Sequence, residues 1–314
     1  MHIVYLDQNK WIELARAAKF PTERPELRAL LDATSDEVRA GRLALPLTAT
    51  NIYETYKINN PQRRQALASI QAFLSKGLVF RGKHKRLEVE ISILLRKACN
   101  LAGPQLETHW FLSNIFFEAF LEFGDERLQT SISDRVFKII RTYPDFCLYD
   151  YLVESSDEDR SVAVSRFSAG SEQLRLRIEK RRARHKNEPL AMRRRIYGAL
   201  LLIDEIESVL GIARKAGMSW NSVSDMGASI ARKMVNDVPT YCVERELALR
   251  LEAQNRAIDE NDFRDMQSFC AVLPNADQVI AENQFVNLAK QGGLDKKYNT
   301  QLATDIFALH DTFR

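Results

Sequence analysis

The chain has 314 residues, enough for one large domain or two ordinary ones. Its 45 Lys and Arg stand against 42 Asp and Glu; the net charge of +3 excludes a polycation, so a nucleic-acid partner would have to be gripped by a local basic patch. Apolar residues make up 45%, with only 12 Gly and 9 Pro, which excludes a disordered chain and predicts a helix-rich, well-cored one.

In chain order, Ile3 to Leu6 predicts a buried strand that ends at Asp7, followed by an amphipathic helix from about Lys10 to Ala18. Helix periodicity returns from about Pro25 to Ala40 and stops at Gly41, and Leu43 to Leu47 reads as a second short strand. A helix starts near Thr50 or Asn51, Asn59-Asn60-Pro61 breaks it, and a longer one follows over Gln62 to Ser75 before a third strand at Leu78-Val79-Phe80. This alternation is the start of a parallel sheet with helical crossovers. From Arg86 to about Arg256 the pattern is helical with almost no strand signal. After it, Phe263 to Leu273 predicts a helix, Gln278 to Ala281 a strand and Asn283 to Lys290 a helix. The expected architecture is α/β: a domain of residues 1–83 and 257–314 around a parallel sheet, interrupted by an all-helical insertion over residues 84–256.

Cys99, Cys147, Cys242 and Cys270 are scattered without a CxxC pair, which argues against a zinc site or a disulfide framework. The amino-terminal stretch reaches Asp7 too early for a signal peptide, and the longest apolar runs, such as Ala199 to Ile203, are too short to span a bilayer. A cytoplasmic protein with no membrane contact is expected.

Groups that bind or react gather beyond the carboxyl ends of the strands in a parallel sheet. Asp7 ends the first strand, and Glu54 lies near the start of the helix after the second. The Phe263–Leu273 helix precedes its strand and should run antiparallel to it. Its ten rises span roughly 15 Å, and the climb from Asp277 to Glu282 spans roughly 16 Å. Asp262, Asp265 and Glu282 should therefore return to the same rim. By helical phase Asp262 lies within about 40° of the buried stripe Met266-Phe269-Cys270-Leu273, and Asp265 within about 100°. Carboxylates so close together repel, and hard oxygen ligands suit Mg²⁺ or Mn²⁺. Each acid also has a structural alternative. Asp7 could cap the following helix, Asn51 to Glu54 could form a capping box, Asp259 to Asp265 could complement a helix dipole, and Asp277 fits a structural role at its strand's start.

Val4-Tyr5-Leu6-Asp7 resembles the opening strand of PIN-like nucleases, and Asn51-Ile52-Tyr53-Glu54 resembles their second acidic position. Asn261 to Asp265 with Leu273 to Glu282 looks like the carboxyl-terminal signature of a bacterial branch of that family, and Leu294 to Thr300 looks similar too. The likeness covers about 140 residues at the two ends. It implies a PIN-like three-layer fold and metal-dependent phosphodiester hydrolysis, usually of RNA. By that resemblance Asp7, Glu54, Asp265 and Glu282 would be catalytic and metal-binding, with Asp262 an additional or substitute ligand.

Between Arg175 and Arg195 ten Lys or Arg face only two acids. Of these, Arg181, Arg182, Arg184, Lys186, Arg193, Arg194 and Arg195 form the candidate phosphate-contacting stripe of a helical hairpin turning near Asn187-Glu188-Pro189. The alternative is a solvated hairpin. Trp110, Phe111, Phe116, Phe117, Phe120 and Phe123 recur at helical spacing and fit a core or a subunit interface better than a base-stacking platform. Leu200 to Leu210 looks amphipathic and could serve a dimer through the insertion. The functional expectation is a Mg²⁺- or Mn²⁺-dependent endonuclease with RNA favoured as its nucleic-acid partner, in a toxin or defence setting that could include a protein inhibitor. A non-catalytic nucleic-acid-binding or regulatory protein on the same scaffold, and a structure-specific DNA nuclease, stay open.

Overall fold

A computed structural model describes residues 1–120, 133–254 and 256–313. Phe123, one of the aromatic residues singled out above, lies outside the described residues. Strand β1 (His2–Leu6) sits between β2 (Leu43–Ala44) and β5 (Gln278–Ile280), and β6 (Gln301–Ala303) lies beyond β5, with all three pairings parallel. Strands β3 (Val79–Phe80) and β4 (Leu112–Ser113) form a second, antiparallel pair. A parallel bridge from Leu47 to Val79 joins this pair to the β2 side of the main sheet.

The period of two along β1 sends its side chains to opposite faces. Ile3 and Tyr5 enter one hydrophobic core, Val4 and Leu6 another. Helices α1 (Gln8–Lys19), α2 (Pro25–Arg39), α3 (Ala49–Tyr56) and α4 (Pro61–Ser75) cover the Val4/Leu6 face. Then come α5 (Lys83–Ala98), α6 (Asp134–Thr142), α7 (Pro144–Glu154), α8 (Asp157–His185), α9 (Leu190–Asp204), α10 (Ile206–Lys215) and α11 (Val223–Asp237). Helices α12 (Pro239–Ala253), α13 (Glu260–Val272) and α14 (Asn283–Gln291) cover the Ile3/Tyr5 face, and the short α15 (Leu294–Tyr298) leads into β6. The chain is mixed α/β, and among the described residues no helix is long and apolar enough to cross a membrane.

The stretch expected to be a purely helical insertion differs from expectation in two ways. It contains β4, which at two residues is too short to leave a period in the sequence. It also does not keep to a core of its own. Leu87, Ile91, Leu201, Val209 and Met234 build a third cluster. By contrast, Val243, Leu247 and Leu251 of α12 pack beneath the sheet, and Phe116, Leu148 and Leu152 pack on its other side. The aromatic residues Phe111 and Phe116 are buried in these cores. Leu201, Leu202, Val209 and Leu210 are buried too, so the amphipathic face expected to serve a dimer is largely consumed inside the protein. The strand β6 also escaped the sequence reading, because it is a three-residue edge strand without a buried run.

Candidate functional site

The carboxyl edge of the sheet is built from the ends of β1 and β5. The Asp7 N–H donates to the Ile280 carbonyl at 3.0 Å, which sets the exits of the two strands side by side. Asp7 then caps α1, its Oδ1 accepting from the Gln8 N–H at 2.7 Å, and its carboxylate also accepts from the Glu282 N–H. The capping role and the rim position therefore coincide in one residue. Glu282 is the last residue before α14, and the Asn9 side-chain amide donates to its Oε1.

The alternative reading of Glu54, a capping box with Asn51 at the start of α3, does not form. The capping box uses Thr48 and Asn51 instead, and helix α3 begins at Ala49. This leaves Glu54 in the second turn, where its carboxylate meets Arg264 at the rim instead of capping the helix. Asn51 is fully buried and donates to the Leu6 carbonyl at 3.3 Å and to Gln8 Oε1 at 3.4 Å, locking α3 to the end of β1. A closed ring of buried side chains stiffens this junction: Gln8 donates to Thr55 at 2.9 Å, Thr55 to Gln71 at 2.7 Å and Gln71 back to Gln8 at 3.1 Å. Sequence reasoning did not single out Gln8, Asn9, Thr55 or Gln71, and it read Asn51 as a possible cap for its own helix and not as a link to β1.

Helix α13 descends from the same edge and brings Asp265 to the acids. Burial, and after it the charges of Asp7, Glu54, Glu282 and Asp262, push the Asp265 carboxyl up to about 8. Glu54 is raised to about 7, first by burial and then by Asp7, with Arg264 and Lys57 opposing. Asp7 is raised by burial and by Glu282, against its two backbone donors. Four carboxylates from four separate segments thus lie within electrostatic reach of one another. Arg264 stands at the cluster, 3.4 Å from Glu54 and 3.5 Å from Glu260, with the Tyr53 ring 5.4 Å away. Tyr5 lies beneath, fully buried and hydrogen-bonded to Ser268 and Thr48. Among the described residues, no three His, Cys, Asp or Glu side chains stand in a geometry that would already hold a metal ion. Asp7, Glu54 and Glu282 are each turned to a partner of their own: the Gln8 N–H, Arg264 and Asn9. The donor chemistry nonetheless suits a hard divalent cation, because the crowded acids have too few cations to neutralise them.

Asp262 does not fit the ligand role expected of it. It is buried, as its helical phase predicts, but both of its oxygens are taken by Arg256, with Oδ2 at 2.8 Å from Arg256 Nη1. Gln284 donates to Oδ1 at 2.8 Å and the Asp259 N–H to Oδ2 at 2.9 Å, in a reciprocal capping box that starts α13. Its charge is neutralised and its lone pairs are used, so Asp262 anchors the helix that carries Asp265. Asp277 likewise serves structure, its Oδ2 accepting from the Ile3 N–H at 2.7 Å.

The basic stripe is also reassigned in large part. Helices α8 and α9 form the expected hairpin, but its arginines turn inward. Arg181 pairs with Asp204 and lies 4.9 Å from the Tyr197 ring. Arg182 donates to the Gln254 and Arg256 carbonyls. Arg193 reaches Glu252 at 3.1 Å, and Arg194 reaches Glu246 at 2.9 Å. Arg193 and Arg194 clamp the hairpin to acids of α12 that are invisible to local sequence reading, Arg181 ties its two helices together, and Arg182 holds the backbone just after α12. Of the seven residues, Arg184, Lys186 and Arg195 remain exposed. The hairpin still matters to the site: α8 crosses α13 and α3, where Ser168 Oγ meets Tyr53 Oη at 3.0 Å and Glu260 Oε1 at 2.9 Å.

The crowded acids dictate how stability should change with pH. Glu54 and Asp265 bind their protons more tightly in the folded state than in the unfolded chain, where such groups titrate near 4. Their contribution is therefore fully present below about pH 4 and is lost as pH rises through about 7 to 8. Metal-free protein should melt several degrees lower at pH 8.5 than at pH 6, as about 1 kcal/mol moves Tm by 2–4 °C in a sizeable domain. Millimolar Mg²⁺ or Mn²⁺ should close that gap, since a ligand of the folded state raises Tm. Differential scanning fluorimetry across pH, with chelator or metal, checks this. A melting temperature that climbs from pH 6 to 8.5 without metal would contradict the crowding.

Compared with known proteins, the chain has no matching family model, no matching curated protein and no matching solved structure.

Proposed function

We propose that the chain is a Mg²⁺- or Mn²⁺-dependent endonuclease of PIN-like type that hydrolyses phosphodiester bonds, with RNA the favoured substrate. The observation that carries this is the convergence of Asp7, Glu54, Asp265 and Glu282 from four segments on one sheet edge, with burial and mutual repulsion raising the carboxyls of Asp265, Glu54 and Asp7. The parallel sheet with helices on both faces and the resemblance at the two ends of the chain support it.

The four carboxylates would hold the metal. When bound, the ion supplies Lewis-acid stabilisation of the phosphate and a nucleophilic hydroxide at neutral pH. Asn9 orients Glu282, the two backbone N–H groups fix Asp7, and Arg256 with Gln284 hold the start of α13 so that Asp265 stays at the rim. Arg264 neutralises part of the charge beside Glu54 and is placed to approach a phosphate oxygen.

The test is a panel of structured RNA, single-stranded RNA, single-stranded DNA and duplex DNA, each incubated with metal and with chelator. Metal-dependent cleavage of RNA is the expected result. Cleavage confined to DNA supports the structure-specific DNA nuclease instead. A non-catalytic nucleic-acid-binding role has its own observation in the lack of a pre-closed ligand set among the described residues. It predicts binding without cleavage and no melting shift on adding metal.

A further inference from the structure

The acidic rim by itself repels a polyanion, so a nucleic-acid strand needs a cationic approach. The hairpin supplies only part of one: Arg181, Arg182, Arg193 and Arg194 are engaged inside the protein, and Arg184, Lys186 and Arg195 stay exposed. A different surface combines the missing properties. Between α1 and α4 runs a hollow of about 490 Å³, floored by Ile12, Ala15, Ile58 and Leu67 and edged by Arg16, Lys19 and Arg63. These three side chains are exposed, and none has a carboxylate partner among the described residues. Phe20 at the far end is 43% exposed, with Lys19 Nζ 5.4 Å from its ring centroid.

The wall of this groove is built rather than loose. The Ile58 carbonyl accepts from Arg64 at 2.8 Å and from Arg160 at 3.2 Å, and the Tyr56 carbonyl accepts from Arg160 at 3.0 Å. The groove also leads to the rim. Asn9, Ile12, Arg16 and Lys19 follow one face of α1, and Asn9 is the residue that touches Glu282. From Asn9 to Lys19 is about 15 Å along the helix.

Resting on the nuclease reading, we propose that the α1–α4 groove is the path by which a single-stranded nucleic acid reaches the acids. Arg16, Lys19 and Arg63 contact phosphates, and Phe20 stacks a base. Unpaired cations beside an exposed aromatic ring are the general means of gripping a single strand without reading its sequence. A duplex lacks an exposed base face for Phe20, so single strands are preferred. The sugar is not specified by these contacts, and RNA and DNA are separate arms of the test.

The experiment measures binding and not cleavage. Full-length Asp7→Asn protein in chelator is titrated with a fluorescent 12-nucleotide RNA, the same DNA sequence and its duplex, at several salt concentrations. Combining Arg16→Gln, Lys19→Gln and Arg63→Gln should weaken single-strand binding at least tenfold and flatten the salt slope by about 2, at roughly 0.7 per lost contact. Phe20→Ala should weaken it at least about fivefold, from lost stacking. Neutralising the exposed hairpin cations Arg184, Lys186 and Arg195 should leave the curves in place. Melting temperatures identify any variant that fails to fold, and all the groove changes are at exposed positions without a carboxylate partner among the described residues. Superimposable curves for the groove variants, loss of binding in the hairpin variant, or equal affinity for the duplex would each overturn the proposal. Groove-dependent binding without metal-dependent cleavage by the unaltered protein would sink the nuclease reading and leave the groove standing. Cleavage that survives the loss of groove binding would do the reverse.

Discussion

Asp265→Asn should reduce metal-dependent cleavage about a hundred- to a thousand-fold, the usual loss when one charged or donor group aimed at a transition state is removed. At pH 9 it should also make the metal-free protein more heat-stable. The two effects share one cause. Asp265 is buried among the charges of Asp7, Glu54 and Glu282, and its carboxyl is pushed up to about 8. Above that pH the folded protein carries a carboxylate that its surroundings disfavour, whereas an amide of the same shape carries no charge. The substitution should therefore remove part of the pH-dependent fall in melting temperature while weakening metal binding. Glu282→Gln should also reduce cleavage, and Asp262→Asn should not act in this way. Asp262 has its charge balanced by Arg256, so its loss should lower stability at every pH and reduce cleavage only through the looser start of α13. Cleavage rates with saturating Mg²⁺, paired with melts at pH 6 and pH 9, separate these outcomes. An Asp265→Asn protein that melts lower than its parent at pH 9 would show that Asp265 is a structural acid and would remove it from the site.

The chain announces the rim more clearly than it announces the rest. A strand ending in Asp7, a helix start near Glu54, and the equal lengths of α13 and the climb to Glu282 are local patterns, and the geometry of a parallel sheet converts them into a shared edge. Chain lengths place a residue at a level, but they do not say what stands opposite it. Asp262 was placed correctly by phase and misread in role, because Arg256 and Gln284 reach it from outside its own helix turn. The stripe of Arg181 to Arg195 was misread for the same reason. The partners of Arg194 and Arg193, Glu246 and Glu252, lie on α12, 52 and 59 residues onward, and no period in the sequence links them. The groove of Arg16, Lys19 and Arg63 was missed because its cations are dispersed over two helices and form no run. Density of charge along the chain is thus a poor guide to free charge. Buried acids elsewhere decide which cations remain available to a ligand.

Glu246→Ala should destabilise the fold by about 3–5 kcal/mol, the usual cost of leaving buried cations without their counter-charge. Glu246 is buried and holds three guanidinium groups: Arg194 at 2.9 Å, Arg245 at 2.9 Å and Arg250 at 2.8 Å. Burial alone would raise its carboxyl, but hydrogen bonds from Arg194 and Arg250 and the charge of Arg245 outweigh that and bring it down to about 2. A carboxyl held below its unfolded value near 4.3 contributes stability above that pH and loses it as pH falls toward 2. Acid unfolding should therefore begin at a higher pH in the variant. Arg194→Ala should cost much less, because Glu246 keeps Arg245 and Arg250 as partners. Arg245 is itself buried and cannot recover its loss from solvent, so the asymmetry between the two variants measures how firmly α12 is clamped. Urea denaturation of both variants, with slopes compared to confirm a two-state transition, gives the numbers. A Glu246→Ala cost under about 1 kcal/mol, the size typical of an exposed pair, would mean that these arginines are open to solvent. In that case the hairpin, and not the α1–α4 groove, would again be the first place to look for phosphate contacts.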